Sequence, residues 1–237
     1  MKSILFLICV ILFINSCLVA QEYKAVTVKA GTRVKDYFPV SQRYVYPDFT
    51  QGKVSFKNRM IIPSMFNFNI ISGEMEFIKS KDTLLFTTKK EIDLIVVGRD
   101  SFYYQDAYLQ LIRSGLLSVY LKRSMAVKNI LKQGAMGTVN RSAASEAYNF
   151  VVTGQISIDL KPAEDMVLQR TDEFFISTSG NDFFLFNKKN SIRILPGREE
   201  SIRNFIKINK VDFDSQEDLF RLADFVSGLI SESSKKK

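Results

Sequence analysis

The chain has 237 residues, a formal net charge of +8 and no histidine. The missing imidazole excludes serine–histidine–acid triads, cysteine–histidine pairs and the usual zinc ligation. Both cysteines, Cys9 and Cys17, lie in the first twenty residues, so the remainder lacks thiolate chemistry as well. Carboxylate pairs, a serine–lysine pair and an all-oxygen calcium site are the chemistries left open. We predict no catalytic residue, no cofactor and no metal site.

The first twenty residues, MKSILFLICVILFINSCLVA, have the pattern of a secretory signal. Lys2 supplies the positive start, and Ile4 to Ile14 is an uncharged apolar run. A membrane-spanning helix needs roughly 20 apolar residues, so this run predicts a cleaved signal and not a permanent anchor. Cleavage after Ala20 would make Gln21 the first residue of the mature chain.

A second route of processing remains open at Cys17. The sequence Ile14-Asn15-Ser16-Cys17 resembles a bacterial lipobox, from which only the asparagine departs. Lipidation would tether the chain through acyl groups, each buried methylene contributing about 0.8 kcal/mol. Both routes predict export to the periplasm or cell envelope, and the lipidated form would be an outer-membrane lipoprotein.

Residues 21–190 are predicted to form a β-rich domain. Twenty Phe and nine Tyr, with no Trp, suit half-buried pleated surfaces. Short apolar stretches bounded by turn residues are typical of strands. The clearest are Val54–Phe56 between Gly52 and Asn58, Ile92–Val97 ended by Gly98, and two hairpins, Glu74–Ile78 with Thr83–Thr88 and Phe174–Ser177 with Phe183–Phe186.

The apolar spacing in Ala107–Leu131 suits either one helix or two strands. Gly115 favours two strands with a turn or bulge between them, because glycine inside a helix costs about 1 kcal/mol relative to alanine. Residues 133–147 are small, polar and unpatterned, so we expect an exposed mobile loop there.

The period of the apolar residues changes near the C-terminus. After Ser215, apolar residues recur every three or four positions, namely Leu219, Leu222, Ala223, Val226, Leu229 and Ile230. A shorter segment after Pro196-Gly197 places Ile202, Phe205 and Ile206 on one face. We therefore predict a pair of amphipathic helices over residues 191–233, packed on the sheet, and a basic tail at 234–237. The fold class is α+β, with a mainly antiparallel sheet.

Four stretches together carry a family resemblance: YVYPDFTQGKVSFKN, GEMEFI, KDTLLF and SIRNFIKINKVDFDSQEDLFRLADF. They resemble uncharacterised secreted β-rich proteins of Bacteroidota. The resemblance implies export and the architecture above. It implies no activity and no catalytic residue.

Candidate interaction residues are aromatic. Two clusters stand out, one formed by Tyr44, Tyr46 and Phe49 and the other by Tyr103 and Tyr104. Packing in the core or at a sheet edge explains them, and an exposed platform for a glycan or a protein partner is the alternative. Separately, Asp82-Thr83-Leu84 is similar to the O-glycosylation acceptor of Bacteroidota, which makes Thr83 a candidate modification site.

Acidic pairs are frequent but carry little information. Glu74 with Glu76, Glu91 with Asp93 and Glu199 with Glu200 are each interpreted as part of a solvated face. The acids at Asp212 and Asp214 lack the glycine and spacing of a calcium-binding hand, and Ser215 explains the neighbouring acids as helix capping.

The sequence therefore predicts an exported, non-enzymatic envelope protein that binds or scaffolds. The expected partner is an envelope protein or a surface glycan, with weak attraction of the basic chain to an anionic membrane surface and no nucleic-acid binding. The alternatives are a carbohydrate-active hydrolase with paired carboxylates about 5 to 9 Å apart across a cleft, and a lipoprotein accessory subunit of an outer-membrane complex.

Overall fold

The computed structural model describes residues 23–133, 139–142, 156–180 and 182–234. Within these ranges twelve strands form one antiparallel sheet, accompanied by five helices. The strands are β1 (Val26–Val28), β2 (Thr50–Phe56), β3 (Ile61–Asn69), β4 (Glu74–Lys79), β5 (Asp82–Leu85), β6 (Ile92–Val97), β7 (Asp100–Gln105), β8 (Ala107–Arg113), β9 (Ser118–Gln133), β10 (Val139–Ser142), β11 (Asp165–Ser177) and β12 (Phe184–Leu185). The helices are α1 (Val34–Tyr37), α2 (Val40–Arg43), α3 (Lys188–Arg193), α4 (Glu199–Ile208) and α5 (Gln216–Ser234), and a 3₁₀ turn spans Lys89–Glu91. The expected mainly antiparallel sheet is confirmed.

The sheet runs in the order β1-β11-β9-β8-β7-β6-β2-β3-β4-β5, with β10 on β9 and β12 on β11. Consecutive strands pair from β2 to β5 and from β6 to β9, because short turns join them. The longest pairing joins β9 to β11, from Leu131 opposite Asp165 to Ser118 opposite Ser177.

Buried side chains form three clusters. The helix cluster joins Val119 and Ile176 of the sheet to the α4 and α5 side chains. The meander cluster lies among β2, β3, β4, β6, β7 and β8 and includes Phe66 and Phe102. The N-terminal cluster brings Met125 together with β1, α1 and β11 side chains. Because Val119 and Met125 are an even number of residues apart on β9, two clusters share one face of that strand.

Both predicted hairpins are confirmed, as is the pair of strands on either side of Gly115. β4 pairs with β5, β11 pairs with β12, and β8 ends at Arg113 before β9 begins at Ser118. β5 and β12 are shorter than predicted, and each pairs with a neighbour on one side only. The strand Ile92–Val97 has the predicted bounds.

Other expectations need correction. Gly52 lies inside β2, between partners on β3 and β6, and does not bound the strand. Residues 139–142 of the expected loop form β10, which pairs with β9; the remainder of 134–147 falls outside the described residues. The three short helices α1, α2 and α3 were not predicted, because four to six residues are too few to show a helical period.

The two amphipathic helices are confirmed as α4 and α5. Asp218 N–H donates to Ser215 Oγ at 3.4 Å, so Ser215 caps α5 as predicted. The predicted α5 stripe from Leu219 to Leu229 is buried, and Phe205 stacks on Phe225 at 4.2 Å between ring centroids. The helices therefore pack on each other and, through the helix cluster, on β9 and β11.

Candidate functional site

A cavity of about 590 Å³ lies between α2 with the segment after it and the strands β1, β9 and β11. Its walls combine apolar, hydroxyl, amide and cationic side chains. They are Tyr23, Lys24, Val26, Phe38, Ser41, Gln42, Tyr44, Val45, Ile70, Arg123, Met125, Leu168 and Arg170. We call this the cationic cavity, because three of these residues are basic and none is acidic.

The strand sequences explain why arginine lies here. On β9 the inward positions run Val119, Leu121, Arg123 and Met125, so one arginine interrupts an apolar face. On β11 the corresponding positions run Leu168, Arg170, Asp172 and Phe174, and the same interruption occurs there. Asp172 is the direct cross-strand partner of Arg123, and Arg170 is that of Met125. Pairing of the two strands therefore places Arg123 opposite Asp172 and puts Arg170 at the next position of the same face, about 7 Å along the strand.

Arg170 is held in place from two sides. Its Nε and Nη2 donate to Asp172 Oδ1 and Oδ2 at 3.2 and 3.3 Å. Its guanidinium also lies 4.0 Å from the centroid of the Tyr23 ring, which is a cation–π contact. The backbone carbonyl of Tyr23 accepts a hydrogen bond from Gln169 Nε2 at 2.9 Å, and the Tyr23 hydroxyl donates to Asp172 Oδ2 at 3.5 Å. Tyr23 is thus a fixed wall of the cavity.

Arg123 is the less neutralised cation. Its Nη1 donates to Gln110 Oε1, a neutral acceptor, and among the described residues it makes no salt bridge. Burial lowers the pKa of the Arg123 guanidinium, Asp172 opposes that effect and Arg170 adds to it. Asp172 already accepts from Arg170 and Tyr23, so one carboxylate faces two guanidinium groups. The level of Arg123 therefore carries a net positive charge.

The other end of the cavity is apolar. Val26, which is opposite Leu168, and Val45 are half-buried and present hydrocarbon to the cavity, while the neighbouring lining residues Phe38, Ile70 and Leu168 are buried. Leu168 and Arg170 are two residues apart on β11, which separates the apolar and cationic levels by about 7 Å. A bound molecule would meet hydrocarbon at one end and positive charge at the other.

Tyr44 connects the cavity to a buried carboxylate. Its hydroxyl donates to Glu76 Oε2 at 2.6 Å, and Asn69 Nδ2 donates to Glu76 Oε1 at 2.9 Å. Glu74, two residues away on β4, accepts at Oε1 from Lys89, while its Oε2 has no partner among the described residues. Both carboxyl residues are 5% exposed. The predicted solvated face is therefore wrong for this pair, because three separate segments supply the donors Tyr44, Asn69 and Lys89 that cover it.

The other predicted acidic pairs lie nearer the surface. Glu91, Asp93 and Glu200 are exposed, and Glu199 is half-buried. Asp212 Oδ1 accepts from the Asp214 backbone N–H at 3.0 Å, which is a local turn contact. Across the described ranges, no group of three or more potential ligand side chains is arranged to hold a metal ion.

The five aromatic candidates are all half-buried and do not form one surface. Tyr44 lines the cavity and lies 5.7 Å from Phe49 between ring centroids. Tyr46 donates to Asp100 Oδ2 at 2.6 Å. Tyr103 contacts Tyr120 and Phe183, whereas Tyr104 contacts Tyr108. Only Tyr44 of this set contributes to the cationic cavity.

Thr83, the candidate modification site, is exposed on β5 at the end of the sheet. Ala20, Gln21 and Cys17 lie outside the described residues. In the part of the chain that is described, no helix has the length and apolar character needed to cross a membrane.

The buried phenols predict the behaviour of the fold at alkaline pH. Burial raises the pKa of Tyr44, Tyr46 and Tyr108, and hydrogen bonds to Glu76 and Asp100 raise the first two further. An unfolded tyrosine titrates near pH 10. Because the folded-state values are higher, their stabilisation is complete below about pH 10 and is lost as the pH rises above it.

We therefore expect the free energy of unfolding, measured by urea denaturation, to fall as the pH rises above about 10. Ultraviolet phenolate absorbance should show that these three tyrosines stay neutral until the protein unfolds. Complete phenolate formation in the folded protein near pH 10 would contradict this expectation.

Comparison of the chain with protein-family models, with curated proteins and with solved structures found no match. The functional argument therefore rests on the cationic cavity, which sequence patterns alone did not reveal. The sequence signal for the cavity is a set of charged residues at inward strand positions that are otherwise apolar. These are Arg123 on β9 and Arg170 with Asp172 on β11.

Proposed function

We propose that this chain is an exported, non-enzymatic binding module of the cell envelope, which holds a small ligand in the cationic cavity. The observation that carries the proposal is a cavity of about 590 Å³ with one apolar and one cationic end. Small-molecule sites are typically clefts of about 300 to 1,000 Å³, mostly apolar with a few convergent polar groups. The export signal in residues 1–20 supports the proposed location.

The cavity is pre-formed, which favours binding. On the α2 side, the Val45 N–H donates to the Phe68 carbonyl at 3.0 Å. Tyr46 exchanges two hydrogen bonds with the side chain of Asn67, at 3.1 and 2.9 Å. On the opposite side, Gln169 holds Tyr23. Walls that are ordered before the ligand arrives reduce the entropic cost of binding.

A hydrolase with paired carboxylates has less support. Such an enzyme needs two carboxyl groups facing the substrate across a cleft. Among the described residues that line the cavity, none is acidic. Glu74 and Glu76 are buried among donors from Lys89, Asn69 and Tyr44. Binding is therefore the proposal that the described geometry favours.

The test is native mass spectrometry of the protein purified from the envelope fraction of producing cells. We expect a mature mass that begins at Gln21, or an acylated Cys17 for the lipoprotein form, together with a non-covalent adduct of low molecular mass. Recovery of the uncleaved chain from the cytosol would contradict the proposed location.

Ser41→Trp is the matched test of the cavity itself. Ser41 is exposed on α2 and lines the cavity, so an indole there should occupy the ligand volume without disturbing the core. We expect at least about a tenfold loss of adduct occupancy. Ser234→Trp, at the exposed end of α5, is the control and should keep the adduct. Equal occupancy in both variants, or no adduct on the wild type, would overturn the proposal.

A further inference from the structure

We infer that the ligand of the cationic cavity is a monoanionic amphiphile, an acyl or aryl carboxylate whose charged group binds Arg123. This inference rests on the proposed function and specifies its ligand class. The evidence is the charge balance at the Arg123 level, the distribution of hydrocarbon along the cavity and the availability of guanidinium donors.

The charge balance favours a single negative charge. Arg170 and Asp172 neutralise each other through two hydrogen bonds. Arg123 is left with a neutral partner, Gln110, and Asp172 faces it already engaged. The net charge of these three side chains is therefore +1, which one carboxylate balances. Lys24 is exposed and without an ion pair among the described residues, so it adds attraction at the cavity wall.

The donors of Arg123 suit a carboxylate. A guanidinium carries five N–H donors in a planar fork, and the hydrogen bond from Arg123 to Gln110 uses only Nη1. Arginine binds carboxylates through two parallel hydrogen bonds, and charge-assisted hydrogen bonds are stronger in a partly desolvated site. The Arg123 side chain is half-buried, so its charge is only partly solvated, and this burial lowers the pKa of the guanidinium. A bound anion would restore the lost solvation.

The walls of the cavity away from Arg123 favour a ligand with an apolar chain or ring. Val26 and Val45 are half-buried lining residues, so their hydrocarbon is accessible to a ligand in the cavity. The rings of Tyr23 and Tyr44 add aromatic surface to the cavity wall. A free inorganic anion would leave these apolar walls unused, whereas an acyl chain or aryl ring covers them while its carboxylate reaches Arg123.

Isothermal titration calorimetry with octanoate, 1-octanol and octyl phosphate tests this assignment. The three probes share one apolar chain and differ in the charge of the head group. We expect octanoate to bind the wild type about 10- to 100-fold more tightly than octanol, since a hydrogen bond to a charged group contributes that much. Octyl phosphate carries more negative charge than octanoate at neutral pH. If octyl phosphate binds the wild type at least tenfold more tightly than octanoate does, the monoanion assignment is overturned.

Arg123→Gln identifies the anchor. We expect it to weaken octanoate binding by about 10- to 100-fold while octanol affinity stays unchanged, and Arg123→Lys to recover part of the loss. Arg99→Gln, exposed in the β6–β7 turn and away from the cavity, should bind like the wild type. Unchanged octanoate affinity in a folded Arg123→Gln variant would overturn the role of Arg123.

The outcomes also separate this inference from the proposed function. Should Arg123→Gln fail to fold, the wild-type ratio of octanoate to octanol affinity decides the assignment alone, and equal affinities overturn it. If Ser41→Trp abolishes the native adduct but none of the three probes binds the wild type, the amphiphile assignment is overturned. The proposed binding function would then still stand. Absence of both would overturn the two proposals together.

Discussion

Replacing Lys89 by Met is expected to lower the free energy of unfolding by about 3 to 5 kcal/mol. Lys89 donates to Glu74 Oε1, and the side chain of Glu74 is 6% exposed. Glu74 Oε2 has no partner among the described residues. The variant would therefore leave a buried carboxylate without a cation, and the solvation lost on folding would not be recovered. Urea denaturation followed by circular dichroism measures the effect.

Two controls isolate the buried pair. Lys90→Met changes the exposed neighbour in the same 3₁₀ turn and should cost less than about 0.5 kcal/mol. Adding Glu74→Leu to Lys89→Met should recover most of the loss, because replacing both members of a buried ion pair by apolar groups is often nearly neutral. A Lys89→Met variant as stable as Lys90→Met would show that the Glu74 carboxylate is solvated in the folded protein.

Local patterns are sufficient to predict two hairpins, the strand β6, the strands on either side of Gly115 and both C-terminal helices, but not β1, β3, β7 or β10. The β4–β5 hairpin is determined by its own turn residues, and Gly115 separates β8 from β9 within a few residues of sequence. The α5 stripe and its Ser215 cap lie in one continuous segment. Each of these features depends on neighbours in the chain, so sequence spacing was enough to find it.

The cationic cavity depends on contacts between distant segments. Arg123 and Asp172 become neighbours only when β9 pairs with β11, and Tyr23 reaches Arg170 across most of the chain. The sequence shows polar interruptions in two apolar faces, but it does not show that they coincide in register. Hairpin patterns predict local pairing but not strand order, so the sequence does not predict that the two polar interruptions are neighbours.

The buried acids were misinterpreted for the same reason. Glu74 and Glu76 alternate with apolar residues, which is the usual pattern of a strand with one solvated face. Asn69 on the neighbouring strand is one donor, but Lys89 and Tyr44 come from a 3₁₀ turn and from the segment after α2, neither of which is close in sequence. An acidic, alternating strand can therefore be buried on both faces when other segments supply the compensating donors.

Gly52→Ala is expected to destabilise the fold by about 3 kcal/mol or more. Gly52 lies in β2, opposite Val97 of β6 and Ser64 of β3, so the strand is paired on both sides. An added Cβ would overlap the Val96 carbonyl oxygen and come within 2.9 Å of Phe66 Cδ2. The obstacle is partly backbone, and a side-chain rotation cannot relieve it.

Gly228→Ala provides the opposite control for Gly52→Ala. A Cβ at Gly228 on α5 meets nothing within 4 Å, so alanine there should stabilise the protein by about 0.5 to 1 kcal/mol through its higher helix propensity. Thermal and urea unfolding of the two variants should therefore shift in opposite directions. If Gly52→Ala unfolds like the wild type, β2 and β6 are not held at the close approach that the register requires. The meander cluster would then be looser than its burial indicates.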